Sequence, residues 1–227
     1  YYPTPSAANP KATAQYKENR WLVTRQVRYS LANENAIDMV LSLNGLPFIT
    51  LELKNTLSGE HVREAIEQYQ KDRSCKELLL MPKRCAVHFA VDDNEVYMCT
   101  ELKDKASWFL PFNKGYNQGA GNPPNEHGPR TSYLWEEILT IPRLSDIVEN
   151  YAQVIKVKDP DTNKVEEQII WPRWHQLEAV RALLAATAYN PEAGQRYLIQ
   201  HSAGSGKSNS ITWLAFQLVN MKEADDV

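Results

Sequence analysis

The sequence lacks the features expected of a membrane or secreted protein. No run of ~18 apolar residues occurs in its 227 residues, so no segment is expected to span a bilayer. Residues 1–16 are polar and proline-bearing, with no apolar signal-peptide core. Cysteine is scarce. Cys75, Cys85 and Cys99 are widely spaced and form neither a disulfide framework nor a zinc pattern. Buried thiols in a reducing cytoplasm are the expectation. Neither sign of charge dominates, with 25 Lys+Arg against 28 Asp+Glu. At 43% hydrophobic and 23% charged residues, the composition is that of an ordinary globular protein. Disorder, collagen and coiled coil are excluded as descriptions of the whole chain. Internal repeats and low-complexity tracts are absent too.

What charge there is lies unevenly. Residues 1–30 carry Lys11, Lys17, Arg20, Arg25 and Arg28 against Glu18 alone, a net +4 that leaves −7 for the remainder. A basic edge of this size permits phosphate contacts without demanding them.

The length fits one large domain or one and a half, at ~100–200 residues per domain. A phosphate-loop signature, Gly204-Ser205-Gly206-Lys207-Ser208, sits almost at the end, with 19 residues after Ser208. A nucleotide-hydrolysing domain needs several further strand–helix units after such a loop. The expectation is therefore a fragment holding the start of a motor, or a false match.

Hydrophobic periodicity organises the chain. Residues 1–10 read as an extended lead-in and residues 11–22 as a helix. Val23–Ser30 alternates as a strand, with Arg25 on the otherwise apolar face of Val23, Val27 and Tyr29. Ala36–Lys54 reads as two strands around Asn44-Gly45, a strong hairpin signal because both residues tolerate positive φ. Val62, Ala65, Ile66 and Tyr69 make one helical stripe. Cys85–Thr100 is a second hairpin, turning at Asp92-Asp93-Asn94. Asn113–Arg130, with four glycines and three prolines, is a loop. Gly119-Ala120-Gly121 within it has no strand–helix junction around it and reads as loop alone. Ser132–Gln153 reads as two helices parted near Pro142. Lys156–Gln168, charged and containing Asp159-Pro160, is a domain boundary or a surface β-excursion. Trp174–Thr187 is a helix, Arg196–Gln200 a short buried strand, and Lys207–Met221 a helix.

Two constellations carry chemistry. The first is Asp38, Glu52 and Lys54. Side chains at i and i+2 share a strand face, so Glu52 and Lys54 project together while Leu51 and Leu53 face a core. Charges at the end of the apolar run PFITLELK are costly unless they face solvent or serve a site. A two-residue turn at Asn44-Gly45 pairs residues whose numbers sum to 89 and leaves Asp38 on the wrong face. One extra residue, as a bulge, makes the sum 90 and sets Asp38 opposite Glu52. That bulge is expected. Two carboxylates so placed can hold Mg²⁺, which polarises a phosphodiester and activates a bound water. An ammonium beside them can stabilise the transition-state charge. A surface strand with an ordinary ion pair has the same residue pattern.

This stretch resembles the PD-(D/E)xK nuclease motif, and more closely the R subunit of type I restriction enzymes. VTRQVRYSLAN, AIDMVLSLNGLPFITLELKN, REAIEQYQKDRS, KRCAVHFAVDDNEVYM and FLPFNKGYNQGAGNPPNEHG all look like that family. The resemblance implies Asp38 and Glu52 as metal ligands and Lys54 as the catalytic lysine. It also implies a Gln-x-x-x-Tyr element on the following helix. Gln68 matches its glutamine, but Asp72 stands where the tyrosine would be, with Tyr69 one step along the helix from Gln68.

The second constellation is the phosphate loop. Gly204 and Gly206 allow a tight turn whose N–H groups meet phosphate oxygens, and the following helix adds its dipole. Lys207 would reach the β- and γ-phosphates and Ser208 would ligate Mg²⁺. His201 stands where Gly or Ala is usual. Upstream, Gln176 in PRWHQ lies where superfamily 2 helicases and translocases place an adenine-reading glutamine; its amide has the donor and the acceptor that N6 and N7 need. Arg173 or Trp174 could stack on the ring. LIQHSAGSGKSNSITWLA again looks like the R subunit.

The expectation is an α/β chain. Residues 1–155 form a PD-(D/E)xK restriction-endonuclease-like core, a mixed sheet flanked by helices. Residues 156–227 form a linker and the first elements of a RecA-like lobe. By resemblance, the intact subunit is a bacterial or archaeal cytoplasmic protein that cleaves double-stranded DNA with Mg²⁺ and translocates it with ATP. It docks on methyltransferase and specificity subunits, and S-adenosylmethionine enters only through those partners. The competing readings are a nucleotide-regulated DNA-binding or scaffolding module and a helicase, either with an inactive nuclease-like domain.

Overall fold

A computed structural model describes residues 1–4, 10–158, 163–189 and 195–225, without the side chains of 220–225. Residues 5–9 of the expected lead-in and the Asp159-Pro160 turn lie outside the described residues. Two compact units divide the chain, Tyr1–Trp171 and Pro172–Val227.

The first unit opens with helix α1 (Pro10–Lys17), followed by strand β1 (Trp21–Arg28). The helix expected to run to residue 22 thus stops early. Asn19 lies in a chain reversal, donating its side-chain amide to the Tyr2 carbonyl at 2.7 Å, and Trp21 already pairs with Leu43 across the sheet. Strands β2 (Ala36–Leu43) and β3 (Leu46–Leu53) flank Asn44 and Gly45, whose φ values of 52° and 84° are those of a tight hairpin turn. Helix α2 (Val62–Lys71) crosses over to β4 (Val87–Val91), which lies parallel to β3. Strands β5 (Val96–Cys99) and β6 (Leu110–Pro111) complete a six-stranded sheet in the order β1-β2-β3-β4-β5-β6. Every other neighbouring pair is antiparallel. A mixed sheet of this kind fits a nuclease-like core.

The expected bulge is present. Leu43 pairs with Leu46 and Ser42 with Pro47, then the register shifts so that Leu41 meets Ile49 and Met39 meets Leu51. Phe48 is the extra residue. Its ring packs edge-on against Trp21, centroids 5.9 Å apart, and against Trp171 at 6.0 Å. The bulge is thereby held by aromatic contact on both sides.

Helix α2 presents Val62, Ala65 and Tyr69 to the sheet, all buried. Its first turn is tied down by Asp92 at the end of β4, whose Oδ2 accepts the Val62 N–H at 2.8 Å. Behind the sheet surface, the Thr50 hydroxyl joins Tyr69 Oη and His88 Nδ1, each at 2.7 Å. Burial holds His88 well down, to about 3, so it stays neutral and serves as a polar pillar of the core. Cys85 and Cys99 are buried free thiols and Cys75 is partly buried, as expected. A π-helical turn (Leu134–Ile138) precedes helix α3 (Ile141–Asn150), whose first turn accommodates Pro142. Strands β7 (Gln153–Lys158) and β8 (Val165–Ile170) form a separate hairpin. The expected surface β-excursion is therefore real, but it belongs to the first compact unit. Lys83 bridges to Glu167 at 2.9 Å, and the division falls after Trp171 rather than after residue 155.

The second unit contains helices α4 (Trp174–Tyr189) and α5 (Lys207–Asp225). The buried strand expected at Arg196–Gln200 is not formed. That segment is irregular, and Leu198 is 94% exposed. An isolated strand cannot satisfy its backbone groups without a neighbour, and no strand is described in this unit for it to pair with.

Removing the Thr50 hydroxyl tests the buried polar pillar. Thr50→Val leaves Tyr69 and His88 each short of a partner. It should cost about 1–3 kcal/mol, read as a lower urea midpoint with an unchanged slope.

Candidate active site

The register shift determines what meets at the carboxyl end of β3. With Met39 opposite Leu51, Asp38 comes opposite Glu52. The two carboxylates are close enough that Asp38 disfavours ionisation of Glu52 by repulsion and by direct side-chain contact. Glu52 is 1% exposed. Burial is the largest influence on it and raises it to about 7, against the pull of Arg73.

Arg73 is the residue that pattern reading missed. It follows the last turn of α2, where its own N–H returns to the Gln68 carbonyl at 3.0 Å. Its Nε donates to Glu52 Oε1 at 2.7 Å and its Nη2 to the Ala36 carbonyl at 2.9 Å. The guanidinium also lies over the Tyr29 ring, 5.8 Å from the centroid. A buried carboxylate requires a cation, and that requirement was the one signal in the sequence pointing to Arg73. Helical periodicity carries no trace of it because it lies beyond the helix.

Asp38 is held by two donors. Gln26 Nε2 reaches Oδ1 at 2.9 Å, and the Leu53 N–H reaches Oδ2 at 2.8 Å. Gln26 makes its contact from a left-handed backbone, φ 51°, in the middle of β1. Such a conformation costs a non-glycine residue about 1–3 kcal/mol. It also breaks the simple alternation expected for this strand. Val27 and Tyr29 pack on the core, while Val23 is largely exposed. Arg25 is exposed beside Gln26, and together with Thr24, Asp38 and Leu53 these residues line an open concavity of about 700 Å³.

Lys54 extends the β3–β4 pairing by one bond, from its N–H to the Val91 carbonyl at 2.8 Å. By strand alternation it leaves on the side of Glu52. Its Nζ pairs with Glu60 at 3.0 Å, and its side chain is only 9% exposed. The structure thus brings Asp38 and Glu52 together, whereas the ammonium is engaged at Glu60. Gln68 is partly buried on α2, and its Oε1 is buried without a hydrogen-bond partner. Asp72, at the tyrosine position, closes α2, and its carbonyl accepts from Asn35 Nδ2 at 3.3 Å. Tyr69 is fully buried against Thr50 and packs in the core.

The donor set fits a divalent cation. Two adjacent carboxylates, one of them buried and driven toward protonation, are what such an ion stabilises. Because Arg73, Gln26 and the Leu53 N–H already occupy carboxylate oxygens, the protein would supply few ligands and water the rest. That suits Mg²⁺, which dehydrates reluctantly. Among the described residues no group of three or more His, Cys, Asp or Glu side chains could hold a metal, so any ion here rests on this smaller set.

In the second unit, Gly204 and Gly206 have φ of 72° and 80°. Gln176 is 3% exposed. Its Oε1 accepts the Arg173 N–H at 2.9 Å, and its Nε2 donates to the Gly206 carbonyl at 3.0 Å. The amide expected to read adenine is here spent on bracing the loop. A Cβ at Gly206 would fall 2.3 Å from that Nε2, so glycine is required by both space and φ. Lys207 Nζ donates to the Ser202 carbonyl at 2.8 Å and the His201 carbonyl at 3.4 Å. The Ser205 hydroxyl is buried without a partner. Ser208 lies in the first turn of α5, where N–H groups lack helical acceptors. A phosphate fits these donors.

Residues 8–107 match the family model for the N terminus of type I restriction enzyme R proteins. The match runs from α1 through β5 and contains Asp38, Glu52, Lys54 and Gln68, while the phosphate loop lies outside it. Among curated proteins, none matches the chain. The family match supports an R-subunit N-terminal region for this part of the chain, and with it a restriction-system nuclease. No helix among the described residues is long and apolar enough to cross a membrane.

Two outcomes follow from this geometry. Glu52 ionises near 7 when folded and at about 4.5 when unfolded. The folded chain therefore holds the extra proton between those values. In the metal-free protein this contribution to stability is full below about 4.5 and lost as pH rises through about 7. Thermal unfolding across that window should show the decline, and Glu52→Gln should flatten it. Gly206→Ala should displace Gln176 and strain the loop, costing about 1–2 kcal/mol. Faster amide exchange at the start of α5 would report it.

Proposed function

We propose that the first unit is the nuclease of a type I restriction R subunit, cutting double-stranded DNA with Mg²⁺, and that the second begins the ATP-driven motor of that subunit. The observation that carries the reading is the juxtaposition of Asp38 and Glu52 by the β2–β3 bulge, within the region that matches the R-protein family.

Asp38 and Glu52 would hold the ion, and Gln68 is the motif's glutamine on α2. When bound, Mg²⁺ supplies electrophilic activation of the scissile phosphate and lowers the pKa of a coordinated water. Arg73 holds Glu52 in place from behind. Lys54 leaves Glu60 when a phosphodiester arrives and places its ammonium against the developing negative charge. Arg25, exposed on the rim of the concavity, meets the DNA backbone without reading sequence. Arg28 is a lesser candidate because it already pairs with Glu34 at 3.0 Å. Sequence recognition, and the S-adenosylmethionine it depends on, belong to the methyltransferase and specificity subunits on which this chain docks.

In the second unit, Gly204, Gly206, Lys207 and Ser208 would cradle the ATP phosphates and their Mg²⁺. Lys207 exchanges the Ser202 and His201 carbonyls for phosphate oxygens. Gln176 stays against Gly206 and positions the loop.

Plasmid cleavage by the intact restriction complex tests the reading. Lys54→Ala, Asp38→Asn and Glu52→Gln should each cut at least 100-fold more slowly, on the order expected for lost transition-state electrostatics, while still consuming ATP. Lys207→Ala should neither hydrolyse ATP nor cut. Normal cutting by Lys54→Ala would falsify the nuclease assignment and leave the binding-module or helicase reading.

A further inference from the structure

Gln26 presents a local conflict between backbone and side chain. Its neighbours pair regularly with β2, Arg25 with Met39 and Val27 with Ile37. The left-handed φ of 51° is therefore confined to one residue within an otherwise regular strand. Glutamine has no conformational preference for this region; asparagine, aspartate and glycine do. Nothing in the packing calls for the residue either, since Gln26 is exposed on an edge strand. The one interaction that the conformation secures is the 2.9 Å bond from Nε2 to Asp38 Oδ1.

That bond complements the rest of the site. Leu53 N–H fixes the other oxygen of Asp38, and Arg73 fixes one oxygen of Glu52. Each carboxylate is thus gripped by a neighbouring element, β1 for Asp38 and the end of α2 for Glu52, and the two are held against each other. Outer-sphere donors of this kind set the orientation and affinity of metal-binding carboxylates.

We propose that Gln26 is the positioning residue for Asp38, and that its strained backbone is retained because it aims that carboxylate toward Glu52 for a divalent cation. The inference rests on the metal-binding reading of Asp38 and Glu52 given above. Gln26 acts through Asp38 and does not itself touch the ion.

Mn²⁺ binding to the whole chain, followed by the loss of the free-ion paramagnetic resonance signal, separates this role from a structural one. Gln26→Gly removes the donor and also relieves the left-handed strain. It should bind Mn²⁺ about 10- to 100-fold more weakly with a Tm that is unchanged or higher. Gln26→Asn tolerates the same backbone but is one methylene too short to reach, and should behave alike. Wild-type Mn²⁺ affinity in Gln26→Gly overturns the proposal. So does a fall in Tm that tracks the loss of affinity, because that is the mark of a structural residue. Asp38→Asn serves as the reference. If it binds Mn²⁺ like wild type, the metal site itself is refuted, whereas a large loss in Asp38→Asn with none in Gln26→Gly refutes the positioning role alone.

Discussion

Between Leu41 and Ser42 the pairing of β2 with β3 slips by one residue, and the chemistry of the first unit depends on that slip. Side chains alternate across a strand, so a one-residue change of register moves a residue from one face to the other. Without the extra Phe48, Asp38 would oppose Leu51 and the acidic pair would not exist. The bulge is stabilised by Trp21 on β1 and Trp171 after β8, residues distant in sequence from the site they set up. An apolar contact at one end of the hairpin thereby determines an electrostatic arrangement at the other.

That arrangement is costly, and several neighbouring features offset the cost. Glu52 is buried beside a like charge. Its compensation comes from Arg73, which links three strand segments through Glu52, the Ala36 carbonyl and the Tyr29 ring. Helix α2 carries Arg73 to its place because Asp92 anchors the other end of the helix at β4. The Thr50–Tyr69–His88 cluster fills the remaining polar space between α2 and the sheet without a charge. The site is therefore braced from β1, β2, β4 and α2 together, which fixes the geometry of its two carboxylates.

In the second unit the glycine-bearing loop at Gly204–Gly206 is shaped by its own contacts. Gln176 and Lys207 satisfy the loop carbonyls themselves, and the two glycines adopt their positive φ in that state. Such internal bonds keep the loop compact. Residues 195–200 run irregularly, with no strand beside them among the described residues of this unit.

Local pattern was enough to determine much of this protein. The Asn44-Gly45 turn, the α2 stripe, the hairpin at Asp92–Asn94, the long helices and even the need for a bulge follow from periodicity and turn chemistry, which act over a few residues. Asp38, Glu52 and Lys54 could be named because a strand ending in charge is conspicuous. Tertiary structure decided the rest. It placed Arg73 on Glu52, turned Lys54 toward Glu60, buried Gln176 against Gly206 and twisted Gln26 toward Asp38. It also kept β7 and β8 with the first unit and left residues 195–200 without a strand to pair with among the described residues. Each of these depends on which distant groups share a desolvated space, and the cost of leaving a charge or a backbone group unpaired there depends on neighbours that no short stretch of sequence contains.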